Sequence, residues 1–413
     1  MNQDQFHVVV FGATSFVGQI LTHYLFRRHG AGGEFRWAIA GRSDAKLQAL
    51  RDELGPQAAQ LEMVVADAAD EAALKSMCAQ TQVVVSTVGP YALYGSPLVK
   101  VCAETGTDYC DLTGEIQWVV QMIRAHEATA KKTGARIVHC CGFDSIPSDL
   151  GVHFLQQQSR QRFGQPCTRV KLRVKAMRGG FSGGTAASLM NVVKEASKDA
   201  ALRKLLANPY AACPEDGPRR VSQPNITFAE YDPDAGSWTA PFIMAGINTR
   251  IVHRSNALSD GAYGDGFTYD EATLTGRGFK GSATAVAMGT SLGGFLFATA
   301  VPPTRWLLEK FVVPKPGEGP SPQAQETGFY DLRLYGRTAD GKTLKTKVTG
   351  DRDPGYGSTG KILGEAAACL ALDIPRSEKT GGFWTPATIF GDRLIKRLMT
   401  HAGLGFEVLE KDY

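Results

Sequence analysis

The chain has 413 residues, of which 43% are hydrophobic and 21% are charged, and its formal net charge is +4. This length is sufficient for two domains, each with its own core. The small net charge and the lack of a basic block argue against nucleic acid as a partner. Eight cysteines without metal-ligand spacing predict free thiols, a reducing compartment and no bound metal. No charged-then-apolar signal segment precedes the first strand, so we expect a cytoplasmic protein.

The first predicted strand leads directly into a glycine turn. A run of β-branched residues after His7 reaches Gly12, and an amphipathic helix is predicted over Phe16–His29. In such a turn the first helical amides and the positive end of the helix dipole face a pyrophosphate. The candidate phosphate-binding residues are Gly12, Thr14, Ser15, Phe16, Val17 and Gly18. The alternative is a glycine-rich turn that binds no nucleotide.

The turn after the second strand indicates which dinucleotide is bound. The strand Phe35–Ala40 is followed by Gly41, Arg42 and Ser43, where an NAD-selective site would place a carboxylate. A guanidinium and a hydroxyl suit a 2′-phosphate instead, which predicts NADP(H). The alternative is that Arg42 only caps a surface loop. The third strand ends at Asp67, which is either a contact on the adenine side or a solvated loop acid.

The fourth predicted strand ends in a loop rich in glycine, proline and tyrosine. Ligands of an open parallel sheet lie beyond the carboxyl ends of its strands, so this loop is expected beside the nicotinamide. Its candidate cofactor contacts are Thr87, Val88, Gly89 and Pro90. Tyr91 and Tyr94 are candidate proton donors for hydride transfer, or they pack over the turn without a chemical role.

Polar loops also follow the fifth and sixth predicted strands. After the sixth strand, which ends at Gly142, we expect Asp144 and Ser145 to orient the substrate. Glu115 and Asp111 are second choices for the acid, and Asp111 has the alternative role of a helix cap. The alternation of strands and helices predicts an α/β fold, with a Rossmann doubly wound parallel sheet over residues 1–142.

A second α+β domain with a mixed or antiparallel sheet is predicted for residues 143–354. A helix over residues 186–207 is expected against this sheet. The predicted strands cover residues 169–177, 247–255, 268–275, 329–338 and 342–350.

An uncharged segment, Ala283–Val301, is unusual for this composition. It approaches the length of a membrane span, although it is rich in glycine and threonine and ends at two prolines. The alternatives are a helix buried against the domain or a partner subunit, and an apolar flap on a lipid surface or lipid substrate. Trp306 and Lys310 would extend such a flap to residue 313. An exposed apolar segment is also compatible with a homodimer.

Several motifs together resemble the saccharopine dehydrogenase-like oxidoreductases, specifically the branch of the trans-acting enoyl reductases of cell-envelope lipid synthesis. The similar stretches are Gly12–Gly18 with Gly41–Ser43, Ser86–Gly95, Asp108–Glu115, Cys141–Asp149, Gly179–Thr185, Asp353–Gly360 and Gly381–Pro386. One difference is Ser15, where members of the branch often carry glycine. The resemblance implies an NADP-type hydride-transfer fold in which residues 355–413 pack back on the nucleotide domain.

The resemblance and the residues together leave four functional hypotheses. The first is an NADPH-dependent reductase of a carbon–carbon double bond in a lipid or polyketide-like substrate. The second is an imine or amino-acid reductase of the saccharopine dehydrogenase type, with substrate carboxylates held by Arg169, Arg173, Arg178 and Arg250. The third is a catalytically silent protein on lipid surfaces, peripheral to a membrane, and the fourth is an NADP-bound scaffold. A Tyr-x-x-x-Lys pair and a His-Glu metal motif are both missing.

Overall fold

The computed structural model of the protein describes residues 5–179, 183–311 and 319–410. The N-terminal third alternates strands and helices along the chain. Its elements are β1 Phe6–Phe11, α1 Phe16–His29, β2 Trp37–Gly41, α2 Asp44–Glu53, β3 Glu62–Val65, α3 Glu71–Ala79, β4 Thr81–Ser86, α4 Tyr91–Tyr94, α5 Ser96–Thr105, β5 Asp108–Asp111, α6 Ile116–Thr133 and β6 Arg136–Val138.

The middle of the chain has longer strands and a series of helices. Its elements are α7 Ile146–Phe163, β7 Cys167–Arg178, α8 Gly183–Lys198, α9 Ala200–Ala207, β8 Glu230–Asp232, β9 Ser237–Pro241, α10 Ala245–Leu258, β10 Thr268–Gly276, α11 Gly278–Ala300, α12 Pro302–Phe311, α13 Pro322–Thr327, β11 Phe329–Thr338 and β12 Thr343–Gly350. The C-terminal elements are α14 Thr359–Leu372, β13 Gly382–Trp384, α15 Pro386–Ile389, α16 Gly391–Arg397 and β14 Leu404–Val408.

The described residues form two seven-stranded sheets. The first has the order β13-β6-β5-β4-β1-β2-β3 and every neighbouring pair in it is parallel. The second has the order β14-β12-β11-β7-β10-β9-β8, with β10 and β7 parallel and the other pairs antiparallel. The predicted α/β class, a doubly wound parallel sheet with a second mixed-sheet unit, is confirmed.

The chain after Asp353 is divided between the two sheets. Helix α14 packs against α1, β1, β4 and β5, and β13 pairs with β6 at the edge of the first sheet. Strand β14 instead pairs with β12 at the edge of the second sheet. The position of β14 therefore differs from the expectation that the whole of residues 355–413 packs on the nucleotide domain.

Helix α7 covers the inner face of the second sheet. It contacts β7, β11, β12 and β14. At Gly151 the helix approaches the sheet so closely that a Cβ atom would lie 3.1 Å from Val348 Cγ2. Helix α7 starts directly after the β6 loop, so it connects the carboxyl edge of the first sheet to the second sheet.

The predicted strand at 247–255 is wrong, because this segment lies within helix α10. Its β-branched residues suggested a strand, but nearly every residue over Ile247–Ala257 is buried, so the helical period is hidden.

The predicted single helix over 186–207 is two helices. Asp199 separates them and caps α9 by accepting hydrogen bonds from the amides of Ala201 and Leu202, at 2.7 and 3.1 Å.

The apolar segment that begins at Ala283 belongs to helix α11, which lies against β9, β10 and α8. Among the described residues, this is the one helix whose length and composition would allow it to cross a membrane, with a mean hydropathy of 1.3. Only 17% of its most apolar window is buried within the protein. Most of the predicted continuation of the apolar segment lies in helix α12, and residues 312–318, which include the first part of the predicted linker, lie outside the described residues.

Candidate nucleotide and substrate site

Two glycines shape the turn between β1 and α1. Gly12 has a φ of +86°, and a Cβ atom there would lie 2.6 Å from Val88 Cγ2 and 2.9 Å from Thr87 Oγ1. A Cβ atom on Gly18 would lie 2.1 Å from the Gly12 carbonyl oxygen. The first position therefore needs glycine for its conformation and its packing, and the second needs it for packing alone.

The N-terminus of α1 has unpaired backbone amides that are able to bind an anion. Ser15 caps the helix by accepting a hydrogen bond from Gly18 N at 3.0 Å, and its hydroxyl also lies 2.9 Å from Thr87 Oγ1. The amides of Phe16 and Val17 have no acceptor among the residues that the structure describes. The first helical turn also carries no acidic side chain. Unpaired amides at a positive dipole end fit the pyrophosphate of a dinucleotide.

The turn after β2 presents a cation beside this helix end. Gly41 is buried near Thr14, whose Oγ1 would lie 3.9 Å from a Cβ atom at position 41. Arg42 is exposed. Ser43 caps α2, because its hydroxyl accepts a hydrogen bond from Lys46 N at 3.4 Å. Arg42 is thus available to a 2′-phosphate, whereas the Ser43 hydroxyl also stabilises a helix start.

Asp67 lies beyond the end of β3 and is exposed. Its carboxylate accepts a hydrogen bond from Ala69 N at 2.9 Å, which closes a local turn. The predicted contact of Asp67 with the adenine side therefore stays a prediction.

The loop after β4 supports the phosphate turn and carries the tyrosines. Thr87 donates a hydrogen bond to the Gly12 carbonyl at 2.9 Å, and Val88 packs against the same glycine. A cis peptide bond joins Gly89 to Pro90, and Pro90 precedes the short helix α4. These four residues line the carboxyl edge of the sheet beside the turn.

The two candidate tyrosines have different environments. Tyr91 is buried, its hydroxyl donates to the Ser86 carbonyl at 2.9 Å, and burial raises its pKa well above the usual value. Tyr94 is 51% exposed at the opposite end of α4. The hydroxyl of Tyr91 is occupied by the backbone, which favours a packing role for it and leaves Tyr94 as the accessible one of the pair.

Glu115 is the residue that holds α4 in place. It is buried, and its carboxylate accepts hydrogen bonds from the amides of Tyr91 and Ala92, at 2.8 and 3.0 Å. It also accepts a hydrogen bond from Ser188 of α8 at 2.9 Å. Glu115 therefore positions the tyrosine turn and connects it to α8, and its lone pairs are used for this rather than for proton transfer.

Asp111 fixes the end of the neighbouring strand in a similar way. It is fully buried, and one carboxylate oxygen lies 2.6 Å from His139 Nδ1. The other oxygen accepts hydrogen bonds from the amides of Cys140 and Thr113, at 3.0 and 3.1 Å. Asp111 thus holds the loop after β6 rather than facing an open site.

Asp144 is the acid that this loop presents at the sheet edge. It is half-buried, and burial raises its pKa to about 7. Its Oδ2 lies 3.1 Å from where a Cβ atom of residue 114 would be, so Gly114 leaves the space beside the carboxyl group. Within the described parts of the chain, the carboxyl group has no hydrogen-bonding or ion-pairing partner. Because its pKa is close to neutral, this carboxyl group is partly protonated at neutral pH and able to donate a proton.

Ser145 is held in a left-handed conformation, with φ of +86°. Its hydroxyl donates to Asn248 Oδ1 at 3.0 Å, and the Asn248 amide donates to Glu271 Oε2 at 2.9 Å. Tyr269 donates to the other oxygen of Glu271 at 2.7 Å. This buried chain of hydrogen bonds fixes the residue next to Asp144. Sequence reasoning missed it, because its members come from three distant segments.

The arginines proposed to hold substrate carboxylates are mostly engaged inside the protein. Arg173 is buried and forms ion pairs with Asp232 and Asp270. Arg169 pairs with Asp234, and the guanidinium of Arg250 donates to the Leu206 carbonyl at 2.6 Å. Arg178 is exposed at the end of β7. Arg169 and Arg173 are therefore neutralised without a substrate, whereas the buried Nε of Arg250 has no hydrogen-bond partner among the described residues.

Residues 8–138 match the family model described as "Saccharopine dehydrogenase NADP binding domain". A Mycobacterium tuberculosis protein, named provisionally as a trans-acting enoyl reductase, is 44% identical over 403 residues and 95% of both chains. The trans-acting enoyl reductase of Mycobacterium ulcerans is 40% identical over 413 residues and 96% of both chains.

A solved structure supports the same fold. Apo saccharopine dehydrogenase (L-Glu forming) from Saccharomyces cerevisiae aligns with a TM-score of 0.54 at 15% identity, over 97% of this chain and 99% of that one. The parallel sheet, the glycine turn and the matched domain define an NADP-dependent oxidoreductase, and the predicted cofactor NADP(H) is confirmed. The chain belongs to the trans-acting enoyl reductase family of the saccharopine dehydrogenase-like oxidoreductases.

Proposed function

We propose that this protein uses NADPH to reduce a carbon–carbon double bond of a lipid-like or polyketide-like enoyl substrate. The observation that carries the proposal is the near full-length similarity to proteins named trans-acting enoyl reductases, at 44% and 40% identity. The ion pairs of Arg169 and Arg173 support it further, because an imine reductase needs free guanidinium groups for substrate carboxylates.

The residues at the sheet edge fit NADPH. The unpaired amides of Phe16 and Val17 and the positive end of α1 would hold the pyrophosphate, and Arg42 would hold the 2′-phosphate. The β4 loop from Thr87 to Pro90 would flank the nicotinamide. When bound, NADPH supplies the hydride for one carbon of the double bond.

Asp144 is our candidate for the group that supplies the proton. Reduction of a double bond adds a hydride to one carbon and a proton to the other. The Asp144 carboxyl holds a proton at near-neutral pH because burial raises its pKa to about 7. The hydrogen bond between Ser145 and Asn248 fixes the neighbouring residue, and Gly114 leaves room for a substrate beside the Asp144 carboxyl group. Tyr94 remains the second candidate donor, since it is accessible on the neighbouring loop.

The experiment is a reductase assay on the purified full chain with α,β-unsaturated acyl thioesters of increasing chain length. NADPH consumption and a product heavier by two hydrogens would support the proposal. The variants are Asp144→Asn and Tyr94→Phe, and Asp265→Asn is the control, because Asp265 is an exposed carboxylate in the loop before β10. Loss of a positioned acid lowers the rate by about 10²–10⁴-fold.

Two outcomes would contradict the proposal. One is confirmed NADPH binding without reduction of any enoyl thioester. The other is NADPH consumption only with a 2-oxo acid and an amine, which would favour the saccharopine dehydrogenase type of reaction. Equal activity of Asp144→Asn and the control would remove Asp144 from its role but leave the reaction itself intact.

A further inference from the structure

The outward side of helix α11 carries large apolar residues where a soluble protein normally places charge. Phe279 is 87% exposed and Phe297 is 71% exposed, and Val286 between them is also exposed. At 100° per residue, these three side chains lie within about 20° of one line along the helix. The line extends for about 27 Å at 1.5 Å per residue.

The inward side of the same helix consists of small residues. Gly281, Ala285 and Gly289 are buried along it. A Cβ atom on Gly281 would lie 2.2 Å from the Gly276 carbonyl oxygen, and one on Gly289 would lie 3.0 Å from the ring of Phe228. The first half of the helix is therefore seated on the protein through its small residues, and Thr299 near its end is also buried. A helix held in this way fits an orientation along a surface better than one across a bilayer.

Basic residues flank this apolar line at both ends. Arg277 and Lys280 are at the start of α11, and Arg305 and Lys310 lie in α12, which contacts α11. Over residues 277–310 the sequence contains one acidic residue. Trp306 is 56% exposed, and the Lys310 ammonium lies 4.8 Å from its ring centroid. Aromatic and basic residues next to an apolar helix face match the headgroup region of a membrane.

We propose that the α11–α12 face, defined by Phe279, Val286, Phe297, Trp306 and Leu307, docks on an anionic lipid surface with α11 parallel to the membrane plane. The apolar line would enter the acyl boundary, and the flanking basic residues would meet lipid phosphates. A second copy of the chain fits less well, because a symmetric contact on this face would bring the same basic residues of two copies together. The proposal does not depend on the reaction that the enzyme catalyses.

Docking of the α11–α12 face would also affect the candidate site. Helix α11 contacts α8, and Ser188 of α8 donates to Glu115, which holds the Tyr91–Tyr94 turn. Three successive contacts thus connect helix α11 to the loop that is expected beside the nicotinamide. Docking would place this loop close to the source of a membrane-resident acyl substrate.

The test is co-sedimentation of the full chain with vesicles of phosphatidylcholine alone and of equal parts phosphatidylcholine and phosphatidylglycerol. Binding is expected to be stronger to the anionic vesicles and to weaken with salt. The double variant Phe279→Ser/Phe297→Ser is expected to bind on the order of 100-fold more weakly, at about tenfold per phenylalanine. Its matched control is Leu372→Ser, an exposed apolar residue of α14, which should bind as wild type.

A second pair of variants tests the charges. Lys280→Glu should weaken binding to anionic vesicles by about fivefold or more, and Lys396→Glu on α16 should have no effect. NADPH titration of every variant checks that the fold is intact. Three results would overturn the proposal: no binding to anionic vesicles, equal binding by the phenylalanine variant, or a wild-type dimer that this variant converts to monomers. The last result would identify the face as an interface between copies.

Discussion

Gly12→Ala should be among the most damaging single-methyl additions in the nucleotide half. Gly12 has a φ of +86°, and the added Cβ would lie 2.6 Å from Val88 Cγ2 and 2.9 Å from Thr87 Oγ1. The left-handed conformation costs a residue with a side chain about 1–2 kcal/mol. Overpacking typically adds about 1–3 kcal/mol. Together these terms predict a loss of about 2–5 kcal/mol in the free energy of unfolding and greatly weakened NADPH binding.

Substitutions at two other glycines separate the conformational cost from the overpacking cost. Gly164 has a φ of +73° with nothing within 4 Å of its Cβ position, so Gly164→Ala should lose only about 1–2 kcal/mol. Gly18 has no left-handed conformation to lose, but its Cβ would lie 2.1 Å from the Gly12 carbonyl oxygen. Gly18→Ala therefore measures the steric clash alone. The clashing Gly12 carbonyl oxygen belongs to the backbone, so it cannot move away by a change of side-chain rotamer.

The assay is urea unfolding of the three variants, followed by NADPH fluorescence titration of the folded proteins. Gly12→Ala and Gly18→Ala should weaken binding, and Gly164→Ala should bind NADPH as wild type. If Gly12→Ala is no less stable than Gly164→Ala, the packing against Val88 and Thr87 does not restrict this turn and the reasoning fails.

Three further predictions concern the site. Arg42→Ala should weaken NADPH binding by about 10–100-fold and leave NADH binding nearly unchanged, measured by parallel fluorescence titrations, and equal losses for both nucleotides would contradict it. Glu115→Ala should cost about 2–3 kcal/mol of unfolding free energy in urea, because buried amides lose their acceptor, and Glu115→Gln should recover part of it. The reductase rate should fall about tenfold per pH unit above about 7, because the raised pKa of Asp144 keeps it protonated only below that pH. A pH profile that is unchanged in Asp144→Asn would refute this role.

The nucleotide half was the more predictable part of the fold. Helix α1 begins and ends at the residues that its pattern predicted, Phe16 and His29. Glycines and β-branched residues determine turns and strands through local backbone preferences, so these elements can be predicted without knowledge of the tertiary contacts. Helix α10 was misread because burial on all sides removes periodicity, and β13 was missed because three residues carry too little pattern.

The candidate site was predictable in its location and less so in its roles. The edge of a parallel sheet brings the loops after Phe11, Ser86 and Val138 together wherever the strands are identified. The roles of Glu115 and Asp111 as backbone acceptors depend on neighbours that the sequence does not place. Part of the similar stretch Gly179–Thr185 lies outside the described residues.

The divided C-terminal segment has a consequence for how the protein is made. Strand β13 completes one sheet at β6 and β14 completes the other at β12, so each sheet receives an edge strand synthesised late in the chain. Until then, a nascent chain leaves the edges of β6 and β12 unpaired, and open edges are templates for wrong pairing. Folding of the two sheets is therefore expected to finish at nearly the same point of synthesis, once β13 and β14 have left the ribosome.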